Sequence, residues 1–186
     1  MIGLEDIVFN LIREDLARFA HGPSLRDKLK VIILSPGFLA VAIIRTQEYF
    51  RSHHLLLIAY FFQRVNLTLH GIDVLPGATI AGGLRIEHPA SIVIGAGTVI
   101  GSNCTIMQGV TLGVRNVSRE RNNNEFPKIG DRVFIGAHSS ILGGVTIGND
   151  VIIGAHSLVL VNCAPRTRFT NELRVIFKDS NEDIGE

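Results

Sequence analysis

IGAGTV (94–99), IGSNCT (100–105) and IMQGVT (106–111) run on without a gap, and IGDRVF (129–134), IGAHSS (135–140), ILGGVT (141–146), IGNDVI (147–152) and IGAHSL (153–158) do the same. Two further hexads, IAGGLR (80–85) and IEHPAS (86–91), precede them. Each hexad opens on an aliphatic residue, and a small or β-branched residue often stands fifth. A period of six matches neither the 3.6 of a helix nor the 2 of a plain strand. It suits short strands joined by tight turns, each strand turning one aliphatic side chain inward. Three such strands close a coil of roughly 18 residues, and the coils stack as a parallel β-helix. A sandwich of short strands is the alternative, but its strands are longer and alternate apolar with polar residues. The spacing slips by two residues between Ile86 and Ile94, so a bulge is expected at His88-Pro89-Ala90-Ser91. The stretch GVRNVSRERNNNEFP (113–127) leaves the pattern altogether and is expected to be ejected from the scaffold as a loop.

Working outward, residues 1–70 form an amino-terminal helical region, 71–163 the β-helix, and 164–186 a tail. Ile2, Leu4, Ile7, Val8, Leu11, Ile12, Leu16 and Phe19 recur at helical steps. Ser24, with Asp27 three residues on, predicts the cap of a second helix over Leu25 to Leu34. Ser35-Pro36-Gly37 predicts a break, followed by helices from Phe38 to about Arg51 and from His54 to about Leu67. The apolar run Leu55 to Phe62 is too short to cross a bilayer. Packing on the first coil is the expectation for these helices. Peripheral contact with the inner face of a membrane, helped by Arg45, Arg51 and Arg64, is the alternative.

The 186 residues, 46% of them hydrophobic, suffice for one real core with a small appendage. A net charge of +1 leaves no broad basic surface, which argues against nucleic acid as a partner. Cys104 and Cys163 have no disulfide or metal spacing, so both are expected as reduced packing residues of a cytoplasmic protein. The opening MIGLEDIVFNLIRED is not expected to be a signal peptide, because acids interrupt its apolar run.

GIDVLPGATIAGGLRIEHP, QGVTLG and FPKIGDRVFIGAHSSILGG together resemble the serine acetyltransferase branch of the hexapeptide-repeat acyltransferases, and SPGFLAVAIIR resembles the helix that leads into the repeats there. The resemblance spans residues 11 to 175, approximately. It implies a mainly β fold, a left-handed parallel β-helix with a short amino-terminal α-helical region. It also implies a homotrimer with active sites between subunits, and acetyl-CoA as co-substrate rather than a permanently bound cofactor.

O-acetylation requires a base that takes a hydroxyl proton in the transition state, usually a histidine oriented by a carboxylate. His88 sits at the register slip and occupies the family's catalytic histidine position. Asp73, 15 residues earlier, matches the aspartate that pairs with it. His138 and His156 stand in twin IGAHS hexads one coil apart and read as a repeated, solvent-facing turn position, with metal binding by the pair as the alternative; no metal is expected. Gly136, Ala137, Gly154 and Ala155 match family positions where the pantetheine arm of CoA lies, and Gly113 matches a small position in the same cleft. Arg166, Arg168, Arg174 and Lys178 are candidate cations for the CoA phosphates.

Three departures bear on the acceptor. Where the family motif reads R-H-P-K-I, this chain has Glu125-Phe126-Pro127-Lys128-Ile129; Glu87 replaces an aspartate; Gly22-Pro23-Ser24 replaces Asp-Pro-Ala. The acceptor expected on these grounds is a saccharide hydroxyl, as in capsule and exopolysaccharide synthesis. Glu87, Phe126 and Asn124 would contact it, with Phe126 lying against a pyranose and Asn122 to Asn124 supplying amides. Serine O-acetylation, with Arg119 or Arg121 meeting the carboxylate, and a non-catalytic scaffold are the alternatives.

Overall fold

A computed structural model describes residues 4–20, 22, 24–115 and 125–170. Among the described residues four helices lead into a parallel β solenoid: α1 Leu4–Phe19, α2 Leu25–Leu34, α3 Pro36–Ser52 and α4 Leu56–His70, then fourteen strands of two or three residues each. The strands stack in three parallel sheets of five, four and five, one for each side of the coil. Inside, the hexad-opening residues form three ladders: Ile80, Ile100, Ile129 and Ile147; Ile86, Ile106, Ile135 and Ile153; Ile94, Leu112, Ile141 and Val159. Every one of these twelve side chains is buried. At about 1.5–3 kcal/mol for each fully buried aliphatic side chain, the ladders are the main stabilising term of the solenoid.

Register dates each interruption. Ser140 pairs with Leu158, eighteen residues on, which is the plain coil. Thr79 pairs with Val99, twenty residues on, so the first coil carries two extra residues. Val99 pairs with Lys128, twenty-nine residues on, so eleven extra residues lie between β7 (Thr111–Gly113) and β8 (Lys128–Ile129). The coil also continues past Cys163, because Arg168–Phe169 pairs with Ile152–Ile153.

The helices differ in detail from their predicted bounds. Ser24 caps α2 as expected, accepting from the Asp27 amide at 3.1 Å. Ser35 does not merely end α2: it caps α3, accepting from the Phe38 amide, and Pro36 is the first residue of that helix. Proline lacks an N–H and has a helical φ, so it starts a helix as readily as it stops one. α4 starts at Leu56, with His53 and His54 in the exposed turn before it.

Arg45 is not on a membrane-facing surface. Its side chain is wholly buried and joins three parts of the molecule. It bonds Asp15 of α1 at 2.8 Å, Glu48 at 2.8 Å, and the carbonyls of Ile80 and Ala81 on the first coil at 2.7 and 2.8 Å. Asp15 in turn accepts from the Leu84 amide at 2.8 Å. Burial pushes the Glu48 carboxyl up, against the pull of Arg45. Close approach of α3 to the coil is possible because residue 37 is glycine: a Cβ there would lie 2.1 Å from the Ile86 carbonyl oxygen. Ala59, Gln63 and Asn66 are the buried face of α4, while Leu57 and Phe61 point outward, 88% and 61% exposed. Among the described residues no single helix is long and apolar enough to cross a membrane.

Candidate active site

The two extra residues of the first coil are His88 and Pro89. The ladder is regular up to Glu87, whose amide donates to the Ile106 carbonyl at 2.9 Å, and resumes at Ala90, whose carbonyl accepts from the Gly109 amide at 2.8 Å. His88 adopts φ 52°, and Ser91 φ 53°. A bulge of this kind turns a side chain out of the repeat, and His88 is exposed. The bulge leads directly into β4 (Ile92–Ile94), whose Val93 lies beside Asp73 of β1 (Ile72–Val74).

Asp73 lies between Ile72 and Val74, both buried inside the coil, so its own side chain points outward. Its carboxylate accepts a short bond, 2.5 Å, from the Gln63 amide nitrogen of α4. No hydrogen bond joins Asp73 to His88 among the described residues; catalytic bonds often close only when substrate is bound. Gln63, 7% exposed, is a partner of Asp73 that sequence reasoning missed. It directly follows the apolar run Leu55 to Phe62 and meets Asp73 only through the turn at Gly71.

His88 opens onto a groove of about 540 Å³ lined by Arg85, Glu87, His88, Thr105, Met107 and Phe134. Arg85 and Glu87 stand two apart along the strand and so share its outer face. They form an ion pair at 2.5 Å, each side chain 32% exposed. Arg85 also donates to the Arg18 carbonyl at 3.1 Å, and its guanidinium carbon lies 5.7 Å from the centre of the Phe19 ring. Its buried Nε finds no partner. Arg85 too was missed, because as the last residue of IAGGLR it looks like any solvated hexad position.

His138 and His156 are exposed, at φ 57° and 56°, and their rings stack 5.1 Å apart. Gly136 serves the fold itself: a Cβ there would come within 2.6 Å of the Ala155 backbone nitrogen on the next coil. At Gly154 a Cβ would meet Thr170 at 3.1 Å, whereas at Gly113 the nearest atom is Leu142 Cδ2 at 4.0 Å, so only Gly113 borders open space. Ala137 is half-buried and Ala155 exposed. Burial pushes the Cys104 thiol up to about 11, so it stays protonated and is a packing residue.

Phe126 is 7% exposed. Its ring covers the corner formed by Gly95 and Gly97, where a Cβ would meet it at 2.4 and 2.2 Å. The ring is therefore spent on packing and offers no free face to a sugar. Glu125 is half-buried. Asn124 and Arg174 lie outside the described residues.

Two family models match the solenoid: a bacterial transferase hexapeptide model (six repeats) over residues 126–160, and a hexapeptide repeat of succinyl-transferase over residues 91–116. The chain is 36% identical to the serine acetyltransferase of Helicobacter pylori over 138 residues, 74% of this chain and 79% of that one. It is 34% identical to the serine acetyltransferase of Staphylococcus epidermidis, covering 94% and 81% of the two chains. Among solved structures it superposes on a Neisseria gonorrhoeae serine acetyltransferase in complex with serine, with a TM-score of 0.77 and 31% identity, over 87% of this chain and 65% of that one. On an Entamoeba histolytica serine acetyltransferase in complex with cysteine it gives 0.79 and 28%, over 94% and 62%. The chain thus spans just under two thirds of these two solved relatives.

Proposed function

The chain belongs to the serine acetyltransferase family of acetyl-CoA-dependent O-acetyltransferases, and from that premise we propose that its acceptor is L-serine. The expectation of a saccharide acceptor is corrected. It rested on the departures at Glu125 and Phe126, yet relatives at 34–36% identity are serine acetyltransferases, and solved homologues hold serine or cysteine. The physical premise fails as well, because the Phe126 ring is buried against Gly95 and Gly97.

In this reading the imidazole of His88 takes the proton of the serine hydroxyl as its oxygen attacks the thioester carbonyl. The tetrahedral intermediate collapses, the C–S bond breaks, and the imidazolium returns the proton to the departing CoA sulfur. Asp73, held by Gln63, orients the imidazole once the site closes. The observation that carries this assignment is the bulge, which inserts one histidine and its following proline into an otherwise regular coil. A homotrimer is supported by aliphatic and aromatic side chains left on the outer faces of the coils, among them Val93, Phe134 and Leu158 at 40%, 39% and 49% exposure. Incubation with acetyl-CoA and L-serine should release free CoA and yield O-acetylserine by mass spectrometry, from a particle of three chains by light scattering. Acetylation of a neutral sugar with serine untouched would reject the proposal.

A further inference from the structure

The geometry points to Arg85 as the group that reads the acceptor's carboxylate, beside Glu87, which the family match already sets at the acceptor. This inference rests on serine being the acceptor and answers a difficulty that reading leaves. Where the family motif carries Arg and His, positions 125 and 126 here hold an acid and a buried ring, so a carboxylate would have to be met elsewhere. Arg85 lines the same groove as His88, and it stands on the same strand face as Glu87. With no acceptor bound, the two satisfy each other at 2.5 Å. A zwitterionic amino acid carries the same two charges in the opposite order. It can enter between them, exchanging one internal ion pair for two external ones and leaving no charge unpaired. A neutral sugar would gain nothing from opening that pair.

Arg85 is also built to wait in place. The Arg18 carbonyl and the Phe19 ring hold its guanidinium from the α1 side, so losing Glu87 to the substrate's ammonium would not release it. A planar fork fixed in this way suits bidentate recognition of a carboxylate.

The test compares L-serine with L-serinamide, which keeps the hydroxyl and amine but lacks the carboxylate. The unmodified protein should prefer L-serine. Arg85→Gln should raise KM for L-serine about 10–100-fold, the usual worth of a hydrogen bond to a charged group, with kcat changed by less than about threefold. Its kinetics with L-serinamide, and its KM for acetyl-CoA, should stay within about threefold. Arg85→Lys, which keeps the charge but not the fork, should fall between and guards against a merely misfolded Gln variant. Equal losses on both acceptors in both variants would make Arg85 a packing residue and overturn the inference. An unchanged KM for L-serine would move the carboxylate to another cation, with Lys30 of the adjoining pocket next. A protein that does not acetylate L-serine at all fails the underlying reading instead, which the unmodified control reveals before any variant is made.

Discussion

The corner after Ile86 and the corners after Ile135 and Ile153 all carry a histidine with φ between 52° and 57°, and all three imidazoles are exposed. The left-handed φ and the residue type are thus shared by His88, His138 and His156. What differs is the register. His138 and His156 donate their amides to Gln108 and Ala137 of the preceding coils and stack on each other as part of the repeat. His88 belongs to two residues that have no counterpart in the next coil. In a repeat protein the repeat is the structural background, and chemistry is marked by the place that breaks it, more than by the residue type found there.

The sharpest way to break this comparison is to remove the difference. Deleting His88 and Pro89 together restores the eighteen-residue period of the later coils. We expect the far-UV circular dichroism of the β-helix to persist, and acetyl transfer to fall by at least the 10²–10⁴-fold share of a general base. An active deletion variant would show that the bulge is ornamental.

The first coil also differs in how it is held. It is clamped by Arg45 and Asp15, both fully buried, whereas the later coils rely on their own ladders and on corner pairs such as Arg132–Asp150. Arg45→Met strands the Asp15 carboxylate and should cost about 3–5 kcal/mol in urea unfolding. A loss below about 1 kcal/mol would mean that the helices are not what fixes the first coil.

The smallest effect is expected at Arg132–Asp150, joined at 2.7 and 2.8 Å but open to solvent. The bond from Arg132 holds the Asp150 carboxyl below its ordinary value of 3.8. A lowered folded-state value means stability that is present above 3.8 and is lost as pH falls through the folded value. Arg132→Ala should therefore narrow the gap in melting temperature between pH 6 and pH 3 only slightly, because exposed pairs are screened. A large shift would point to a corner network stronger than its exposure suggests.

The β-helix was legible because its signal is local and repeated: the hexads, the two-residue slip at His88 and the eleven-residue insertion before Lys128 can all be counted along the chain. The helix caps were half legible, since Ser35-Pro36 reads equally as a stop and as a start. Groups that act across the fold were not legible. Arg45 meets an acid thirty residues upstream and carbonyls thirty-five residues downstream, and nothing in its own helix distinguishes it from a solvated arginine. Gln63 lies just past an apolar run and Arg85 at an ordinary outward position. Phe126 misled for the same reason: its alignment placed it at the acceptor, but the two glycines that admit its ring come from the preceding coil. The saccharide expectation leaned on that ring together with the acid at Glu125, the change at Glu87, the Gly22-Pro23-Ser24 departure and the amides of Asn122 to Asn124.

The account is tested most directly by initial rates on L-serine and acetyl-CoA for three proteins side by side: unmodified, His88→Ala and His138→Ala. It predicts kcat/KM for L-serine of about 10⁴ M⁻¹s⁻¹ or more in the unmodified protein, a loss of about 10²–10⁴-fold in His88→Ala, and less than about a threefold change in kcat for His138→Ala. Near-normal turnover by His88→Ala, or the large loss appearing in His138→Ala instead, would contradict it.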